Sequence, residues 1–75
     1  MKSLNDLKLG KSGKVIKNEA NDNIRRRLLD IGLVRGSIIR PVLISPGGDM
    51  VAYQIKGAIV AIRKSDTEKI MVEEI

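Results

Sequence analysis

The sequence contains no cysteine and no histidine. No disulfide can staple the chain, and no thiolate or imidazole is available to hold zinc, iron or haem. The same absences remove the usual nucleophile and base of acyl transfer, leaving only serine and lysine pairs in no recognisable catalytic context. Tryptophan and phenylalanine are also missing, so Tyr53 is the single aromatic ring and the core has to be aliphatic. No apolar run is long enough to cross a bilayer. The opening MKSLNDLKLG lacks the apolar stretch and small-residue cleavage pattern of a secretory signal. These absences point to a cytoplasmic protein.

The 75 residues leave room for one domain, residues 1–75, near the size at which a hydrophobic core alone becomes marginal. The hydrophobic content of 43% is ordinary for a folded chain. Lysine and arginine number 14 against 9 acidic residues, and the resulting +5 charge favours an anionic partner. Nucleic acid, an acidic protein face and the inner membrane surface all satisfy that condition.

Along the chain, Leu4, Leu7 and Leu9 follow Ser3, which is placed to cap a helical turn that Gly10 ends. The run KVIKN after Gly13 reads as a strand, and EANDN as a turn in which Asn21 or Asn23 caps the next helix. That helix, residues 23–31, repeats Ile24, Leu28 and Ile31 at the spacing that makes one apolar face, and Gly32 stops it. Arg27 borders the apolar face, Arg25 shares a flank with Leu29, and Arg26 lies opposite the core with Asp30. Leu29 is then an apolar residue that the core does not claim. Arg27 and Arg63 have Asp30 and Asp66 within reach as pairing partners.

The remainder reads as an antiparallel meander. Pro46 to Asp49 form a loop, Lys56 and Gly57 a tight turn before a strand at Ala58–Ile62, and Ser65 with Glu68 a capping box ahead of a last strand at residues 70–73. About five short antiparallel strands with one short helix make a mainly β protein, whose edges are best protected in a small, nearly closed barrel. In the third long run, alternation predicts Ile39 and Leu43 on one face and Ile38, Val42 and Ile44 on the other. The second set forms an apolar row outside the barrel and predicts weak homodimerisation.

The segments LKLGKSGKVIK, IRRRLLDIGLVRGSII and SPGGDMVAYQIKGAIVAIRKSDTEKIMV, in this order and spacing, resemble the FeoA family of small accessory proteins of the bacterial ferrous-iron transporter FeoB. The likeness covers essentially the whole chain. Its most specific part is RRLLDIGLVRG, with Gly48–Asp49 and the hairpin containing Gly57, Ala61, Arg63 and Asp66 following at family-like distance. Met50, Pro41, Leu43 and Ile44 depart from the family's usual residues. The resemblance implies an SH3-like barrel with one inserted helix, ferrous-iron transport with transition-metal binding as a family-level property, and an FeoB-type membrane transporter as partner.

The function expected is that of a non-enzymatic regulator of ferrous-iron uptake, with no cofactor, no catalytic residue and no resident metal site. Such a protein works by protein–protein interaction on the cytosolic part of the transporter, without membrane insertion. Arg25, Arg26 and Leu29 are the expected contact residues, with Tyr53, Lys56 and Arg63 on the adjoining hairpin. A small RNA-binding barrel is the alternative, opposed by the lack of rings on which bases stack, so no specific nucleic-acid binding is expected. A stand-alone relative of the SH3-like domain of metal-dependent repressors is the third reading, although nothing here resembles a DNA-binding domain.

Overall fold

Hydrophobic alternation resolves into six strands, two α-helices and one 3-10 turn in the computed structural model, which describes residues 1–75. In chain order these are β1 (Lys2–Ser3), the 3-10 turn (Leu4–Asp6), β2 (Gly13–Asn18), α1 (Asp22–Asp30), β3 (Ile38–Ile44), β4 (Met50–Ile55), β5 (Ala58–Arg63), α2 (Lys64–Thr67) and β6 (Ile70–Glu74). The strands make a single sheet in the order β1-β6-β2-β3-β4-β5, with every pairing antiparallel. The sixth strand, β1, is only two residues long, too short to leave a periodic trace in the sequence.

The pattern is cleanest in β4, where Val51, Tyr53 and Ile55 are buried and alternate with partly exposed residues. They join Leu4, Val15, Leu28, Leu33, Ile39 and Val72 in the aliphatic core. Lys56 and Gly57 adopt φ values of 49° and 84°, the left-handed pair of a tight hairpin turn whose twist matches the flanking strands. The register across β4 and β5 is accordingly unbroken from Ile55–Ala58 to Met50–Arg63.

Strand β3 is less regular. Its pairing with β4 shifts between Pro41 and Leu43, and the extra residue sets Leu43 on the outer face, opposite Ala52. Leu43 was expected to share the inner face of Ile39; it is 64% exposed instead, while Ile38, Val42 and Ile44 are exposed as expected.

The outermost strands, β1 and β5, do not pair with each other. The 3-10 turn and α2 bridge the gap. Ser3 Oγ donates to the Glu68 carbonyl at 3.1 Å, and Asn5 Nδ2 donates to the Lys64 carbonyl at 3.0 Å. Thr67, which has no exposed surface, donates from Oγ1 to Asn5 Oδ1 and lies beside the Tyr53 phenol. Polar contacts therefore link α2 to the 3-10 turn, next to the Tyr53 ring of β4. The expected capping box does not form: Arg63 is the N-cap of α2, without a side-chain cap bond, and Ser65 lies inside the helix.

Tyr53 is only 1% exposed, so it is core and is removed from the set of partner-facing residues. It is the one ring in an otherwise aliphatic interior, and its hydroxyl lies beside the Thr67 side chain. Burial pushes its phenol above the ordinary value of 10.0, an effect the Thr67 hydrogen bond opposes. A raised folded value means that this stabilisation is fully present below pH 10.0 and is lost as pH rises through the folded value. Ultraviolet titration is expected to show tyrosinate appearing only above pH 10.0, together with loss of circular dichroism. Ionisation at the ordinary value in a protein that stays folded would contradict this environment.

Candidate partner-docking groove

Helix α1 is set by its ends. Asn21 Oδ1 accepts the Ile24 N–H at 3.0 Å, and Gly32 turns the chain away at a φ of +94°. The helix begins at Asp22 and ends at Asp30, one residue earlier at each end than the spacing predicted. Ile31 consequently falls at the C-cap, outside the last helical turn, and is 38% exposed where core burial was expected. Leu28 is the helix's buried residue, and Ile24 packs against the core's margin.

Ile24, Arg27, Leu28 and Ile31 line one wall of a groove of about 420 Å³. Val60, Ala61, Ile62 and Arg63 of β5 line the opposite wall, and Asp66 of α2 stands at the same groove. The floor is aliphatic, with a guanidinium on each wall. Neither Arg27 nor Arg63 forms an ion pair; the pairs present are Lys2–Glu74, Lys17–Glu19 and Arg25–Asp22. The pairings open to Arg27 with Asp30 and to Arg63 with Asp66 are not made. Two unengaged arginines beside apolar surface suit a carboxylate-bearing ligand, which each can grip bidentately.

The remaining predicted contact residues divide by position. Leu29 is 47% exposed, and Arg25 and Arg26 are exposed beside it, but none of the three lines the groove. Arg25 NH2 is held by Asp22 at 2.6 Å. Lys56 lies over the end of α1: a Cβ added to Gly32 would stand 3.4 Å from Lys56 Cδ. Its ammonium thus sits near the negative end of the helix dipole. Of the expected contact residues Arg63 lines the groove, and Arg27, which was not among them, lines the facing wall. The signal was there, since Arg27 follows Ile24 by three residues and so falls on the groove-facing stripe.

The groove does not resemble a reaction centre. No three histidine, cysteine, aspartate or glutamate side chains gather anywhere as a metal cluster. Tyr53 and Glu74, whose protonation is displaced, both lie outside the groove, and Glu74 is held low by the Lys2 ammonium that donates to it at 3.0 Å. What the arrangement offers is shape, apolar area and two cations, the elements of a docking surface.

A six-stranded antiparallel sheet rolled about one aliphatic core, with a single longer helix inserted after β2, defines a small SH3-like barrel. The FeoA domain model matches residues 2–74, and the chain belongs to the FeoA family. It is 35% identical over 70 residues to the Fe(2+) transport protein A/Fe(2+) transporter FeoB fusion protein of Porphyromonas gingivalis, a match covering 93% of this chain and 8% of that one. Among solved structures, the Chlorobium tepidum FeoA protein superposes with a TM-score of 0.92 at 33% identity, over 97% of this chain and 70% of the other. The Stenotrophomonas maltophilia FeoA, described as a prokaryotic SH3 domain protein and complexed with zinc, gives 0.84 at 30% identity over 97% and 91% of the two chains.

Adjacent leucines on α1 separate folding from surface roles. Leu28→Ala is expected to cost about 2–5 kcal/mol, because it opens a cavity at the core. Leu29→Ala is expected to stay within about 0.5 kcal/mol of the parent protein, as exposed substitutions do. Urea denaturation of both variants checks the contrast; equal losses would mean that α1 is rotated from the orientation described.

Proposed function

We propose that this chain is a non-enzymatic accessory protein of ferrous-iron uptake that docks, through α1 and the groove beside it, on the cytosolic part of an FeoB-type transporter. The observation that carries the reading is the groove, part aliphatic and part charged, with its unpaired Arg27 and Arg63, in a chain whose family includes a protein fused to FeoB. A fused domain is held beside its transporter at high effective concentration, whereas a separate chain has to bring binding energy of its own. Leu29, flanked by Arg25 and Arg26, extends the same helix surface and adds an apolar anchor within a basic rim. Such a surface acts by favouring one conformation or assembly of the transporter.

Nucleic acid is the weaker alternative. With Tyr53 buried, no ring is exposed for base stacking, and contact by arginines alone would be salt-sensitive and indifferent to sequence.

Capture of a detergent-solubilised FeoB-type transporter tests the proposal. Leu29→Ala and Arg27→Glu are each expected to weaken capture about tenfold or more, equivalent to about 1.4 kcal/mol, without altering thermal melting. Full capture by both folded variants would remove α1 and its groove from the docking surface.

We also propose weak self-association through β3. Strand β3 leaves Ile38, Val42, Leu43 and Ile44 exposed, four aliphatic side chains on one strand. Sedimentation is expected to reveal a concentration-dependent dimer that Ile44→Lys weakens; a strict monomer at millimolar protein would remove this second proposal.

A further inference from the structure

Strand β5 has a hydrogen-bonding neighbour on one side only. The tight turn at Lys56–Gly57 makes Ile55–Ala58 a hydrogen-bonded pair, and alternation makes Tyr53–Val60 and Val51–Ile62 bonded pairs as well. Ile59 and Ala61 therefore direct their N–H and C=O groups toward the unpaired edge. Neither takes part in any main-chain hydrogen bond outside the strand ladders. The other end of the sheet, β1, is two residues long, so β5 with its six residues is the extended edge of the fold.

Exposed edges are usually blunted by proline, by inward-pointing charge or by a covering segment. The sequence AIVAIR of β5 has neither proline nor charge before Arg63, and α1 stands across a groove from it. Its edge instead borders the groove, since Ala61 and Arg63 line the same space as Ile24 and Arg27 of α1. An extended segment laid there gains main-chain hydrogen bonds from β5 and sets alternate side chains onto the aliphatic floor. Its remaining side chains meet the two unpaired guanidinium groups.

We propose that the groove edge of β5 accepts an extended, acidic segment of the partner as an added strand, with its carboxylates on Arg27 and Arg63. This deepens the docking reading above and rests on it. A second copy of the chain is the poorer occupant, because its own β5 has no carboxylate and would bring another Arg63 to the pair. Nucleic acid has no backbone that matches the strand's alternating donors and acceptors.

The test uses a defined probe, a blocked hexapeptide of alternating glutamate and valine, titrated into the whole isotope-labelled protein by NMR. The expected result is saturable shifts and slowed hydrogen exchange at the Ile59 and Ala61 amides. Binding is expected to be at least tenfold weaker for the lysine–valine counterpart, with that preference reversed in the Arg27→Glu, Arg63→Glu double variant. Ala61→Pro removes an N–H that the ladder does not use and is expected to abolish the shift at the Ile59 amide; Arg63→Glu is read at both amides without a backbone change. No response at Ile59 and Ala61 at millimolar peptide, or an equal response to both peptides, overturns the proposal. The transporter supplies a separate arm: capture that persists at full strength in folded Ala61→Pro overturns the added strand and leaves docking intact. Peptide binding with the expected signature but without transporter capture supports the edge site and overturns its assignment to FeoB.

Discussion

The buried hydroxyl of Thr67 fastens the fold. The sheet has a seam where β1 and β5 fail to pair, and an aliphatic core of this size could not tolerate water entering there. Thr67 donates to Asn5 and lies beside the Tyr53 phenol, and Asn5 in turn reaches the Lys64 carbonyl. The Thr67 and Asn5 side chains are thus hydrogen-bonded where the seam closes. Closing the seam with a 3-10 turn and a four-residue helix, rather than with a strand, has a consequence for the outside. The edge of β5 keeps its free main-chain groups.

That consequence connects architecture to function. Helix α1, capped by Asn21 and stopped at Gly32, lies along the open side of β5 and converts a bare edge into a groove. The aliphatic walls come from the same residues that anchor the helix to the core, so the groove requires no separate scaffold. Arg27 and Arg63 are left without acidic partners across it, although other basic residues of the chain are paired. A surface that combines exposed strand donors, apolar area and unsatisfied positive charge is suited to holding a protein segment.

Much of this was legible in the sequence because its local signals agreed with one another. The cap at Ser3, the tight turn at Lys56–Gly57 and the glycine stop of α1 each followed from residue chemistry. The departures have physical causes of longer range. Strand β1 exists only because β6 comes back to meet it, and two residues carry no period. Leu43 was misplaced because the shift after Pro41 depends on the pairing with β4, not on β3 itself. Ile31 obeys the helical spacing but lies just past the last turn, where the spacing no longer holds. The groove was hardest to see: it joins residues of α1 to residues of β5 distant in sequence, and Arg27 with Arg63 become a pair only when the sheet has folded.

The most direct measurement of the central claim is a hydrogen-exchange footprint of the whole protein with and without a solubilised FeoB-type transporter. The account predicts slowed exchange confined to α1, residues 22–30, and β5, residues 58–63, with β2 and β6 unchanged. Protection of β3 alone, or a complex that leaves both α1 and β5 exchanging as in the free protein, would contradict it.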